Sequence, residues 1–371
     1  MKGALSSWSG IPVELAGLVV HHLHAHVDRV RFAAVCKQWR SAAQQIALPP
    51  PLPLLALKDG SGTFYSMPRG EPLRFPGCDD DIVTASGNWL VYNRLHCLLL
   101  VDPFCGATMT LPSPPIIYCP YNSDDGDEVD YSTIFVLVKL IVCSPHLIAA
   151  LFQDGSAFWV ALSRPGASSW SVARKLPMWI FDIAFYKEKL YAVSGWQDLL
   201  ALDISVDDNN GDPQVAQVRK VIDGCCITID VYSLEVLYLI ESRGSLLMVR
   251  RRIFDGHIHD KGQIHTFAEQ SEPELVVFEA DVGQARWAKV MTLGDDQALF
   301  LGTCSRAVCM PESHSQEKRV WLLDDYKKDG STINSSYGSN VPIRKFSCPL
   351  PKISWKGHIG CAGAVWLFPS N

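Results

Sequence analysis

Asp182-Ile183-Ala184-Phe185-Tyr186-Lys187-Glu188-Lys189-Leu190-Tyr191-Ala192-Val193, followed by Leu199–Ile204, is the stretch on which the fold turns. Ile183–Tyr186 and Leu190–Val193 are β-branched and aromatic runs, and the charged Lys187-Glu188-Lys189 between them reads as a tight turn. Leu199–Ile204 makes a third strand. Leu237–Ile240, Ser242-Arg243-Gly244 and Leu246–Arg250 repeat the strand-turn-strand pattern. Trp89–Tyr92, Leu98–Val101, Phe158–Leu162, Leu275–Phe278, Leu299–Gly302 and Val320–Leu323 are further strands. No long amphipathic helix interrupts them, so a parallel α/β sheet is disfavoured.

An internal echo points to radial repetition. Trp170-Ser171-Val172 with Leu176 resembles Trp287-Ala288-Lys289-Val290 with Leu293, each beside a strand pair. Units of about 40–50 residues would give about six or seven four-stranded blades of a β-propeller. A pair of β-sandwiches is the other all-β arrangement compatible with these strands.

The beginning of the chain differs. In Ile11-Pro12-Val13-Glu14-Leu15 and onward, Leu15, Leu18, Val19 and Leu23 fall on one face of a helix. Pro12 suits its first turn. A second helix is expected from Asp28, which can cap it, with Phe32, Val35, Cys36 and Trp39 as its buried stripe. A unit this small buries too little of itself to stand alone and must share apolar surface with something else. Pro49-Pro50-Pro51-Leu52-Pro53 then breaks any helix and reads as a stiff spacer. The expected organisation is therefore helices over 6–46, a proline-rich spacer over 47–53 and a β domain over 54–371.

Composition excludes several classes. Of 371 residues, 48% are hydrophobic and 19% charged, as in a packed globular chain. A net charge of −6 supplies no general attraction to nucleic acid or to an anionic membrane, so neither is expected as a partner. Apolar runs such as Ile134–Val138 are too short to span a bilayer. Met1–Leu5 contains no apolar leader, and the twelve cysteines read as reduced, mostly buried thiols, so cytoplasm and/or nucleus is the expected location.

Local clusters each admit a bland and a functional reading. His22 and His26 stand four apart on a helix, as a metal pair would, but no acidic or cysteine partner lies near in sequence. Asp79–Asp81 and Asp124–Asp130 lack the alternating ligands of a calcium loop and read as solvated loops, or as an acidic rim that helps select a basic target. Arg250-Arg251-Arg252 is the one basic concentration, read as the wet end of a strand before a hairpin at Asp255-Gly256 or as a phosphate or import patch. Cys225-Cys226 and Cys304 with Cys309 lack metal-site spacing. No nucleophile elbow, phosphate loop or dinucleotide fingerprint occurs, so no catalytic, cofactor or metal residue is assigned.

The N-terminal pattern resembles an F-box: Ile11-Pro12-Val13-Glu14-Leu15, Val19, Leu23, Asp28, Val35-Cys36 and Trp39-Arg40 fall where that motif's residues fall. The remainder is similar to the plant F-box-associated domain of unknown function 295 type. Gly87–Tyr92, Leu99–Phe104, Asp182–Tyr186, Leu293–Gly302, Val320–Asp325 and Trp366–Pro369 carry that likeness. The resemblance implies a small all-α start, a large all-β propeller-like domain, and no known ligand. It further implies a non-catalytic substrate-recognition subunit of an SCF-type E3 ubiquitin ligase without a cofactor. Its partners would be a Skp-type adaptor, the cullin–RING ligase behind it and a target protein of unknown identity. Ile11, Pro12, Leu15, Leu18, Val19, Leu23, Val35 and Trp39 would meet the adaptor. The alternatives are that these residues pack on the chain's own β domain, making the whole a propeller binding module outside any ligase, or that loops of the propeller assemble an enzyme site.

Overall fold

The computed structural model describes residues 8–67, 69–122, 128–154, 157–173, 176, 179–224, 233–254, 257–260, 263–266, 274–293, 297–309, 320–323 and 363–370. After a 3-10 turn at Trp8–Gly10 come three short helices: α1 (Val13–His21), α2 (His26–Val35) and α3 (Lys37–Gln45). Strands follow almost without interruption.

These strands form successive antiparallel sheets. The first comprises Leu54–Leu57, Thr63–Ser66 and Glu71–Arg74, with Ala364–Leu367 from the far end of the chain on its inner side. The second to fifth are each four-stranded and run outward in chain order from their inner strands: Ile82–Ser86, Val136–Ser144, Ile180–Tyr186 and Ser233–Ser242. The described part of the sixth holds Gln297–Leu301, Arg306–Cys309 and Val320–Leu322. Two hairpins, Ile116–Asn122 with Glu128–Ile134 and His257–Asp260 with Gln263–Thr266, rise from connections between strands.

The packing shows that the sheets close into a ring. Phe64 and Val365 of the first sheet pack with Leu90 of the second. Leu98 and Phe152 join the second to the third, Leu151 and Ile183 the third to the fourth, and Val193 and Leu239 the fourth to the fifth. Tyr238 and Leu299 join the fifth to the sixth, and Phe300 and Trp366 bring the sixth back to the first. Each sheet is apolar on both faces, which only stacking between two neighbours can satisfy. The chain is a six-bladed β-propeller, closed by antiparallel pairing of Leu54–Leu57 with Ala364–Leu367.

Turn chemistry fixes register. Lys187 and Glu188 both adopt positive φ (46° and 60°), the backbone of a two-residue hairpin whose twist matches its strands. The Trp170/Trp287 echo is structural too. Trp170 leads into the outer strand Ser171–Val172 of the third blade, Trp287 lies in the outer strand Arg286–Lys289 of the fifth, and each packs toward the preceding blade.

The helices differ from the expected pair. Cys36 is extended (φ −160°, ψ 170°), so the second expected helix is two, α2 and α3, with Cys36 between them. Ala25, not Asp28, is the N-cap of α2; Asp28 lies inside the first turn, where its charge still complements the helix dipole. The expected stripe is divided: Phe32 is buried and stacks on Trp39 at 4.5 Å, while Val35 is 56% exposed.

Candidate functional site

The residues expected to meet an adaptor separate into two groups. Ala16, Val20, Phe32 and Ala42 form a small core among the helices, and Ile11, Leu23 and Trp39 pack against it. Leu15, Leu18 and Val19 point away from that core and remain 49%, 59% and 42% exposed, beside exposed Pro12. The single apolar face read from the spacing is thus two: Ala16, Gly17 and Val20 face inward, and Leu15, Leu18 and Val19 face outward. Val35 joins the exposed set from α2.

The helices nevertheless hold the propeller firmly. Leu52 donates its N–H to the His24 carbonyl (2.8 Å) and pairs with Ala25 as an isolated bridge, while its side chain is buried between the sixth and first blades. Arg29 donates from Nε to the Leu23 carbonyl and from Nη1 to the Pro49 carbonyl, both at 2.7 Å. Arg31 pairs with Glu71 at 2.8 Å, and the His26 ring meets Phe104 edge-on at 4.7 Å. The proline-rich segment is thus tied to the helices at Pro49 and at Leu52.

At the propeller axis, bulges precede Thr84, Lys139 and Asp182 on the inner strands of the second, third and fourth blades. The extra residue re-aims each polar side chain inward. Lys139 Nζ meets Asp182 Oδ1 at 2.7 Å, and the Asp182 carboxylate also accepts from the N–H groups of Ile183 and Leu239. Thr84 donates to Thr303 across the ring at 3.2 Å. Lys139, Asp182 and Leu239 belong to three different blades, so this cluster fastens blades together.

The remaining sequence clusters find structural duties. Arg251 is fully buried, Arg252 pairs with Glu235 at 2.7 Å, and Arg250 lies over the Phe278 ring, so this run is not a wet strand end. Asp255-Gly256, Asp124–Asp127 and Cys225-Cys226 lie outside the described residues. Asp80 pairs with Arg94. His21 and His22 touch edge-on at the end of α1, and among the described residues no group of three His, Cys, Asp or Glu is placed to hold a metal. The described thiols are less buried than expected: Cys78 is buried, but Cys105 and Cys309 are exposed. Desolvation pushes the Cys143 thiol up to about 12, which keeps it from acting as a thiolate. A pocket of about 220 Å³ on the helix-bearing side is lined by Pro50, Gly87, Asn88, Arg306, Phe368, Pro369 and Ser370. Of these only Arg306 is ionisable, and it lies over the Phe368 ring.

Two features escaped the sequence reading. One is the stacked pair Trp179 and Trp196, whose partners are 17 residues apart and carry no periodic signal. The other is the Arg29 clamp, since an arginine on a helix reads simply as a wet face.

Comparison with known proteins agrees with the architecture. F-box protein SKIP23 of Arabidopsis thaliana is 22% identical over 332 residues, covering 80% of this chain and 78% of that protein. F-box protein At2g17690, also of Arabidopsis thaliana, is 38% identical over 42 residues, 11% of this chain and 10% of its own. Among solved structures, the bifunctional GH43-CE protein of Bacteroides eggerthii aligns with 59% of this chain and 30% of its own. Its identity is 10% and its TM-score 0.30, a likeness too slight to carry an argument. The KIB1-4 beta-propeller model matches residues 64–338, nearly three quarters of the chain and all but the edges of the ring described above; the chain belongs to that family.

Proposed function

We propose that this chain is the substrate receptor of an SCF-type (Skp–cullin–F-box) ubiquitin ligase. The observation that carries the reading is the outward face of α1. Leu15, Leu18 and Val19 stay exposed on a helical unit whose own core is Ala16, Val20, Ala42 and the ring of Phe32. Such a face is completed by a helical partner. The likeness to two proteins named as F-box proteins, one of them along most of the chain, supports a Skp-type adaptor as that partner.

In this role the chain makes and breaks no covalent bond. The helices fix it to the adaptor and cullin–RING assembly, and the propeller holds a target beside the ubiquitin-charged enzyme. The gain is local concentration and orientation of a target lysine. The Arg29 and Leu52 hydrogen bonds matter because they set the angle between the two ends.

The test is co-purification of a Skp-type adaptor with the full chain carrying Leu15→Ala and Leu18→Ala. Both side chains are exposed, so folding is retained while adaptor capture is lost. Undiminished capture would overturn the reading in favour of a binding module outside any ligase.

A further inference from the structure

The two rims of the propeller differ sharply in charge. All inner strands run in the same direction, so outer-to-inner connections and second-to-third-strand connections open on one rim. The others open on the opposite rim, where His26 and Arg31 fasten the helices. The described residues of the connections on the rim away from the helices, 58–62, 75–81, 95–96, 113–122, 128–135, 173, 176, 179, 195–198, 223–224, 257–260, 263–266 and 290–293, hold 9 Asp and Glu against 1 Lys or Arg. Those on the helix-bearing rim, from 67–70 to 302–305, hold 5 against 4. The whole chain is only −6, so the acid is concentrated on one side.

From that acidic rim stand Trp179 and Trp196, stacked 6.2 Å apart with planes 10° from parallel and about half exposed (47% and 53%). The turn that presents Trp196 is held rigidly. Ser194 Oγ accepts from the N–H groups of Trp196 and Asp198, and the Asp198 carboxylate accepts from Gly224. Gln197, at φ 64°, offers its carbonyl to Trp287 Nε1 at 2.7 Å. The Trp179 carbonyl accepts from Gly195. A preorganised, half-exposed indole pair is the anchor of a binding surface, because its ordering cost is already met before a partner arrives.

We propose that this rim docks a lysine- and arginine-rich segment of the target protein, with Trp179 and Trp196 as its anchor. The indole faces attract cationic side chains, and the acidic excess of the same rim steers a basic segment in and repels acidic ones. The identity of the segment as part of a ubiquitination target rests on the receptor reading above. The docking itself belongs to the propeller and is measured without any adaptor.

The experiment titrates the full chain into a fluorescein-labelled lysine-rich peptide and, separately, a glutamate-rich peptide of equal length. The lysine-rich peptide binds and the glutamate-rich one does not. Trp179→Ala with Trp196→Ala weakens binding about tenfold or more. Trp196→Phe, which keeps an aromatic face and guards against misfolding, retains most of it. Raising salt until the Debye length falls from about 30 Å to about 3 Å weakens it further. Equal binding of both peptides would mean a contact without charge selectivity, and binding indifferent to the alanine pair an adventitious polycation contact; either overturns the proposal. So would self-association of the chain that the alanine pair abolishes, since the rim would then be a homotypic interface. Adaptor capture is a separate readout and should persist in the alanine pair; failure of the unsubstituted chain to capture an adaptor would count against the receptor reading alone.

Discussion

Lys139 and Asp182, on the inner strands of neighbouring blades, meet at 2.7 Å in the interior of the ring, and the same carboxylate accepts the Leu239 N–H from a third blade at 2.7 Å. One side chain therefore ties the third, fourth and fifth blades at their closest approach. Removing one partner leaves an uncompensated buried charge, so Asp182→Ala should destabilise the fold by about 3–5 kcal/mol. Lys139→Met combined with Asp182→Leu should cost clearly less. Urea unfolding of the three proteins decides it; equal losses would mean that packing, not charge, fastens these blades.

Closure of the ring depends on its last strand. Trp366 is fully buried, donates Nε1 to the Leu301 carbonyl at 3.0 Å and meets Phe300 edge-on at 5.0 Å. Trp366→Ala should cost about 3–5 kcal/mol, because the cavity lies where two blades and two ends of the chain converge. Thermal unfolding measures this. A small shift in melting temperature would show that the pairing of Ala364–Leu367 with Leu54–Leu57 closes the ring without the indole.

The joint between helices and propeller is predicted to set geometry. Arg29→Ala removes both 2.7 Å bonds, to Leu23 and to Pro49, and leaves the exposed face of α1 and the far rim untouched. Adaptor capture and peptide binding should persist while ubiquitin transfer to a bound target falls about tenfold. Replacing Pro49 and Pro50 by glycine and serine, with buried Leu52 kept, should have the same effect. Transfer at the original rate in both variants would argue that the target's position is set elsewhere.

How far the sequence reveals these features depends on the range of the interaction. The Lys187-Glu188 turn and its flanking strands are legible because strand and turn preferences are local. The number of blades is less so: Trp170 and Trp287 repeat because outer strands face similar neighbours, while the inner strands vary with what they meet at the axis. The break at Cys36 is invisible to periodicity, since one extended residue shifts the apolar pattern too little to register. Spacing also finds Leu15, Leu18 and Val19 without saying whether anything covers them, and only the folded chain separates them from Ala16 and Val20. Arg251 reads as wet because a lone sequence cannot show which strand is enclosed.

His26 makes the joint sensitive to acid. Burial, aided by the nearby Arg29 charge, holds its imidazole below the usual 6.5, with Asp102 opposing weakly. The unfolded chain therefore takes up a proton first, and the stability His26 contributes is present above pH 6.5 and lost as pH falls from there through the folded value. Unfolding free energy should decline across that window, and His26→Leu should flatten the decline. An unchanged slope in the variant would place the acid sensitivity at another group.

Gly224 offers a way to disturb the tryptophan pair while both rings stay present. A Cβ there would lie 1.8 Å from the Trp196 carbonyl oxygen and 2.7 Å from the Gln197 carbonyl carbon, so backbone must move. Gly224→Ala is expected to cost about 1–3 kcal/mol as the turn yields. The same movement should separate the stacked indoles, seen as loss of their near-ultraviolet circular dichroism. Binding of the lysine-rich peptide should fall as far as it does in the double alanine variant, because the anchor works through its fixed geometry and not merely through exposed aromatic area. If the dichroism is lost and binding survives, the rings act singly, and the rigidity of the Ser194–Asp198 turn serves the fold alone.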